Sequence, residues 1–306
     1  MYDVIVIGAG PAGLSAAIYA QRAGKKVLVL EGKSYGGQII NTSKIENYPG
    51  IQEVSGFGFA TGLYEQAKAM GAEISYEKCL KIEKIDDSDP TEFVVSCKSK
   101  QYTARSVILA VGAVNRKLGL EKEEKLTGKG VSYCATCDGA FYKEKNVAVV
   151  GGGNTALEDA IFLSNYCKNV YLIHRRDTFR GEKKWEMLLR ERSNVHFYLE
   201  QTVSELVGEE RLQGVKLRHV ASGKETSLEV EGLFIAVGQK PATSDFASLL
   251  ETDQGGYMMA GEDCQTSIPG IYVAGDCRVK QVRQLTTAVA DGSVAALAAC
   301  AYCEQA

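Results

Sequence analysis

The densest chemistry in this chain is the stretch Cys134-Ala135-Thr136-Cys137-Asp138. Two cysteines in a Cys-x-x-Cys unit can close a small disulfide ring, and the first thiol of such a unit often has a lowered pKa. An acid directly after the second cysteine adds a proton donor or acceptor to the pair. The same spacing also serves zinc, but zinc needs two further ligands. The three histidines, His174, His196 and His219, are not spaced to supply them, and the other close pair, Cys300 and Cys303, lies at the far end of the chain. Redox chemistry, with no metal, is the expectation.

Such a motif needs a source of electrons, and the N-terminus offers a place to bind one. Val4-Ile5-Val6-Ile7 reads as a buried parallel strand. It runs into Gly8-Ala9-Gly10-Pro11-Ala12-Gly13, then a helical stretch from Leu14 to Ala23 that Gly24 stops. Val27-Leu28-Val29-Leu30 is a second strand, ending at Glu31. Glycines at these positions allow a tight turn and close approach of a pyrophosphate to the helix start, while Glu31 can accept hydrogen bonds from a ribose.

The unit then recurs. Val147-Ala148-Val149-Val150 leads into Gly151-Gly152-Gly153-Asn154-Thr155-Ala156, a helix from Leu157 to Ser164, and the strand Val170-Tyr171-Leu172-Ile173. Where the first unit has Glu31, the second has His174-Arg175-Arg176, with Arg180 one helical turn further. An acid there would repel a 2′-phosphate, whereas arginines pair with it in forked bonds. The second ligand is therefore expected to be NADP(H) rather than NAD(H).

Between and around these units the reading is coarser. Gly36-Gly37-Gln38 through Asn47-Tyr48-Pro49-Gly50 is a loop long enough to fold over a cofactor. Residues 57–70 read as a helix, and 74–107 as short strands with a turn at Asp86-Asp87-Ser88-Asp89-Pro90. Val107 to Ala113, through Gly112, is a buried strand, echoed by Gly232 to Gly238 and by Ile271 to Ala274 before Gly275-Asp276. An Ala-rich helix runs from about Thr286 to Cys303, with Cys300 and Cys303 as packed thiols on one face. The repeated exits imply an α/β chain of two Rossmann-like dinucleotide-binding domains, one inserted into the other. The outer domain is 1–113 with 243–306, the insert is 114–242, and two hinge strands at Ala113–Lys117 and Gln239–Thr243 join them.

Composition narrows the partners. The 306 residues suit two domains, 45% of them are apolar, and the net charge of −3 leaves no basic surplus for nucleic acid or an anionic membrane. No apolar run is expected to span a bilayer, and no basic segment precedes the first strand, so no signal peptide is expected. Nine cysteines, an odd and mostly scattered set, fit a reducing cytoplasm.

These motifs, in this order and over essentially the whole chain, resemble the low-molecular-weight thioredoxin reductases. The resemblance rests on Gly8-x-Gly10-x-x-Gly13, Gly36-Gly37-Gln38, Cys134-Ala135-Thr136-Cys137-Asp138, the Gly151 to Ala156 turn, His174 to Arg180, Gly275-Asp276 and Arg283-Gln284. It implies a homodimer that passes electrons from NADPH through FAD to a disulfide of thioredoxin. By this likeness FAD is held by Gly8, Gly10, Pro11, Ala12, Gly13, Glu31, Gly37, Gln38, Asn47, Gly112, Gly275, Asp276, Arg283, Gln284 and Leu285. NADPH falls to Gly151, Gly153, Asn154, Thr155, His174, Arg175, Arg176 and Arg180. Cys137 is then the sulfur nearer the flavin, Cys134 attacks the partner, and Asp138 relays the proton.

Relatives often carry two aromatics after Asp-Gly, where they help to dock thioredoxin, whereas here Ala140 precedes Phe141. A different thioredoxin-like or glutaredoxin-like partner is the alternative reading. Ferredoxin as electron donor is a further one, and the arginine cluster opposes it. From another class, a non-catalytic redox sensor would bind FAD without turning over NADPH. Because one insert carries both the dithiol and the NADPH turn, it is expected to rotate as a body on its hinge strands.

Replacing Arg175 and Arg176 by uncharged residues should raise KM for NADPH at least about tenfold, each forked contact to the phosphate contributing about 1.5–3 kcal/mol. KM for NADH should barely move. Steady-state kinetics with both nucleotides decide this, and equal changes would show that the arginines do not read the phosphate.

Overall fold

The computed structural model describes residues 1–42, 44–85 and 92–305. The turn expected at Asp86 to Pro90 lies outside the described residues. By its internal contacts the chain divides into two compact units, Met1–Val114 together with the segment from Lys240 onward, and Asn115–Gln239.

In the first unit, β1 (Tyr2–Ile7), α1 (Pro11–Arg22), β2 (Val27–Leu30), α2 (Gly56–Ala69), β3 (Glu73–Ser75), β4 (Cys79–Lys84), β5 (Phe93–Cys97) and β6 (Gln101–Leu109) follow in order. A short strand β7 (Ala113–Asn115) leads into the second unit. There the chain forms α3 (Glu123–Leu126), β8 (Val131–Ser132), α4 (Ala135–Asp138), β9 (Asn146–Val150), α5 (Asn154–Ser164), β10 (Asn169–Ile173), α6 (Lys183–Arg190), β11 (Val195–Tyr198), β12 (Gln201–Val207), β13 (Gly214–His219), β14 (Glu225–Leu228) and β15 (Gly232–Ile235). It leaves through β16 (Gln239–Pro241), which pairs with β7, and returns to the first unit for β17 (Ile271–Val273) and α7 (Leu285–Gln305).

The first sheet has the order β3-β2-β1-β6-β5-β4, with β17 also on β6. β1, β2, β3, β6 and β17 run parallel, while β5 and β4 add antiparallel. Val4, Ile5 and Val6 have no exposed surface at all. That is why this strand reads as a continuous apolar run: helices cover one face and the β4–β5 side of the core covers the other. Pro11 sits at the first position of α1, where its missing N–H and fixed φ favour the start, and Gly24, at φ +73°, closes the helix. The helix thus begins three residues before the sequence pattern suggested.

The second unit holds a wholly parallel sheet, β11-β10-β9-β15-β8, and a separate antiparallel meander, β12-β13-β14. The meander had no counterpart in the sequence reading. The strand expected to reach Ala113 ends instead at Leu109, because Gly112 turns away at φ +68° before β7 begins.

α7 corrects another expectation. By length and composition it is apolar enough to cross a membrane, with a mean hydropathy of 1.3 over its best window. Its alanines dilute the signal that long aliphatic side chains would give. Ala288, Ala295, Ala296 and Ala299 instead pack in the core beside α1, and Ser15 Oγ donates to the Val289 carbonyl at 2.8 Å. The helices meet so closely that a Cβ on Gly292 would overlap the Ala12 carbonyl. Gly292→Ala should therefore cost about 1–3 kcal/mol as an overpacked contact. Chemical denaturation tests this, and an unchanged midpoint would show that the α1–α7 contact yields freely.

Candidate active site

One residue separates Cys134 from β8, and Cys134 leads into the single turn of α4. A disulfide joins it to Cys137, with the two Cα atoms 5.3 Å apart, and both residues are half-buried. The seven other cysteines are free and buried. Burial pushes the Cys303 thiol up to about 11, and its Sγ donates to the Asp3 carbonyl at 3.4 Å, so this sulfur is occupied in packing.

Ser132, the last residue of β8, organises the motif. Its hydroxyl donates to Asp138 Oδ2 at 2.6 Å and accepts the Cys134 N–H at 3.1 Å. Burial pushes the Asp138 carboxyl up, and the Ser132 bond pulls back only partly. Asp138 thus keeps its proton to a higher pH than a free carboxyl does. Burial and then the Asp138 charge push Tyr142 up to about 12. Beneath the motif, Gly139 lies flat on α5, and an added Cβ would overlap the Tyr166 hydroxyl.

On α5 itself, burial and then Glu158 push Asp159 up to about 7. This second proton-holding carboxyl was not found from sequence. The signal available was an acid set between the buried Leu157 and Ala160 of an otherwise apolar face.

The nucleotide turn of the second unit follows β9, in the same sheet as β8 and with only β15 between. Neighbouring strands lie about 4.8 Å apart, so the two strand ends stand roughly 10 Å from each other along one carboxyl edge. Asn154 is braced on both sides of its amide: Oδ1 accepts the Glu182 N–H at 2.8 Å and Nδ2 donates to Glu182 Oε1 at 3.1 Å. The Arg180 N–H donates to the Gly152 carbonyl at 2.7 Å, which fixes that arginine beside the turn. The stretch from Arg175 to Gly181 is a series of bends.

Arg175, Arg176 and Arg180 are all exposed, and among the described residues none forms an ion pair. Thr155 is also exposed. His174 stands apart from them. Its ring is buried against Gly152 and stacks on Phe179 at 5.3 Å, and burial lowers its pKa, with the three arginines adding to the effect. Its place is under the turn, as a prop for Gly151 to Gly153.

In the first unit the sites expected for FAD gather at the carboxyl ends of β1, β2, β6 and β17. Gly13 packs so tightly on the β1 turn that a Cβ would overlap the Gly8 carbonyl. Pro11 and Ala12 open the helix just beyond Gly10. The Gly36 N–H donates to the Ala9 carbonyl at 2.7 Å, and this brings Gly37 against Gly10. Glu31 Oε2 accepts the Ala9 N–H at 2.8 Å and Oε1 the Lys33 N–H at 2.9 Å, leaving lone pairs for a ribose. Gln38 donates to the Ala113 carbonyl, beside Gly112. Asn47 Nδ2 lies 3.5 Å from Gln284 Oε1, just before Leu285 opens α7. Arg283 Nε lies 3.4 Å from the Asp276 carbonyl. Asp276 Oδ1 is buried with no hydrogen-bond partner among the described residues, and Gly275 turns at φ +79°. A buried carboxylate oxygen left open beside a glycine cradle fits a ligand hydroxyl, so these residues suit FAD.

The profile of the pyridine nucleotide-disulphide oxidoreductase family matches residues 2–292. A thioredoxin reductase of Listeria innocua is 42% identical over 307 residues, covering all of this chain and 95% of the relative. One from Bacillus subtilis is 40% identical over 306 residues, with 100% and 96% covered. The crystal structure of a thioredoxin reductase from Streptococcus pyogenes matches at a TM-score of 0.93 and 40% identity, covering 100% of this chain and 99% of that one.

Asp138→Asn removes a carboxyl whose pKa is higher folded than unfolded. The contribution of the Asp138 carboxyl to stability is lost as the pH rises through its folded-state range, and the asparagine variant lacks that loss. The variant should therefore gain on the parent from acid to neutral buffer when both are denatured in the oxidised form. A stability difference that stays constant with pH would show that the carboxyl is not held protonated by its site.

Proposed function

We propose, because the chain belongs to the pyridine nucleotide-disulphide oxidoreductase family, that it works as an NADPH-dependent thioredoxin reductase. The observation that carries the reading is the Cys134–Cys137 disulfide at the same sheet edge as the Gly151 turn, with Asp138 held behind it by Ser132. The first unit binds FAD and the second NADPH. FAD, when bound, supplies the two-electron relay between a nicotinamide and a disulfide.

The chain's own residues do the rest. Arg175, Arg176 and Arg180 receive the 2′-phosphate. Cys137 is the sulfur that faces the flavin, and Cys134, once reduced, attacks the partner's disulfide to form a mixed disulfide that Cys137 resolves. Asp138, protonated to a higher pH than usual, hands its proton to the leaving thiolate and takes one back when the ring recloses. Since the dithiol and the NADPH turn both belong to the insert, we propose that the insert turns on the β7–β16 link between steps. Thioredoxin is the partner this reading favours, in the cytoplasm and with the enzyme as a homodimer. The free, buried thiols of the remaining cysteines support the reducing compartment.

Cys134→Ser and Cys137→Ser should each abolish reduction of thioredoxin in a coupled disulfide-reporter assay. Both should keep their yellow flavin and bleach on NADPH addition, because uptake of the hydride needs neither sulfur. A variant that no longer bleaches would move the cysteines out of the proposed role.

A further inference from the structure

Behind the Gly275–Asp276 turn lies a buried charge cluster. Asp291, in the second turn of α7 and 6% exposed, accepts four hydrogen bonds. Oδ2 takes the Gly275 N–H at 2.9 Å, Arg278 Nε at 2.8 Å and Lys280 Nζ at 2.8 Å, while Oδ1 takes Arg278 Nη2 at 2.9 Å. Burial works to raise the Asp291 carboxyl, but the bonds from Arg278 and Lys280 outweigh it and hold the group below the ordinary carboxylate range. Asp291 is therefore an anion clamping the turn from the helix behind it.

The charges do not balance. The side chains of Arg278 and Lys280 are 3% and 5% exposed, and they bring two positive charges against one buried carboxylate. Glu262 comes within 3.3 Å of Arg278, but its side chain is 93% exposed and water screens it. One positive charge is left over in a dry site. Lys280 Nζ and the Gly275 N–H share Asp291 Oδ2, and the residue after Gly275 is Asp276, whose Oδ1 is buried and unpartnered among the described residues. Burial is the largest influence on that carboxyl and pushes it up. Lys280 and Arg283 pull it down, and Asp291 pushes it up again. Arg283 is held 4.0 Å over the Tyr257 ring and donates to backbone carbonyls, so Lys280 is the buried cation of the two.

We propose that Asp291 and Lys280 are positioning residues of the flavin-dinucleotide site, Asp291 fixing the Gly275–Asp276 turn and Lys280 supplying the charge that lets Asp276 meet a ligand hydroxyl as a carboxylate. This rests on the reading of Asp276 as a contact to FAD. Neither residue need touch the cofactor. Their effect passes through Asp276, and it follows that FAD retention depends on pH. As the pH falls and Asp276 takes up a proton, its hydroxyl-accepting form is lost. Without the Lys280 charge this happens at a higher pH.

The test uses the full-length flavoprotein and follows FAD release by the fluorescence of the free flavin, from mildly acidic to neutral buffer. Lys280→Gln removes the charge and keeps a shorter, neutral amide donor on the Asp291 side. It should weaken FAD binding about tenfold, the size expected for a bond to a charged group, and shift release to higher pH. Lys280→Arg should restore the parent's profile, and circular dichroism verifies that each variant is folded. Asp276→Asn should weaken FAD binding and flatten the pH dependence. In the double variant, Lys280→Gln should add nothing further.

If Asp276→Asn holds FAD as tightly as the parent does, the reading of Asp276 fails and takes the inference with it. If Asp276→Asn loosens FAD but folded Lys280→Gln releases it with the parent's pH profile, the contact stands and the positioning role is overturned.

Discussion

A parallel sheet has one end at which its loops converge, and the two large, mainly parallel sheets of this chain place their reactive groups there. At the carboxyl edge of the first stand the Gly8 to Gly13 turn, Glu31 and Asp276, and at that of the second the Gly151 turn and Cys134. The constraint follows from covalent geometry. Each strand hands the chain to its next element at this edge, so a short turn there presents backbone N–H groups to an anion without cost to the ladder behind it. Most of the other site features serve to hold those turns still.

The holding is done by buried polar groups and by missing side chains. Ser132 binds both the acid and the backbone of the redox turn. Asp291 binds the Gly275 turn from a helix 16 residues further along the chain. Gly13 and Gly292 let backbones come within a distance that any side chain would prevent. Such contacts set the positions of reacting groups more finely than the hydrophobic core does, because a hydrogen bond specifies both distance and direction. The cores on either side of each sheet supply the bulk of the stability and tolerate variation of shape more readily.

Much of this was legible in the sequence because the informative residues are local. The two glycine turns, the acid at 31 against the arginines at 175 and 176, and the Cys-x-x-Cys unit each declare themselves within a few residues. The contacts that join distant segments were not legible. Lys280 and Asp291 are 11 residues apart, and neither lies in a recognisable motif. The amphipathic strands from Gln201 to Leu228 alternate only in part, so no period announced the meander. The place of His174 was not legible for a related reason: it adjoins two exposed arginines in sequence, but the end of β10 directs its ring inward under Gly152.

In the proposed mechanism, electrons from NADPH arrive at Cys134 and Cys137 and at no other sulfur. Differential alkylation measures this directly. The oxidised flavoprotein is treated anaerobically with one equivalent of NADPH, its newly formed thiols are labelled under native conditions, and the labelled peptides are identified by mass spectrometry. New label is expected on Cys134 and Cys137 alone. New label on Cys300 or Cys303, or none on the pair at 134 and 137, would contradict it.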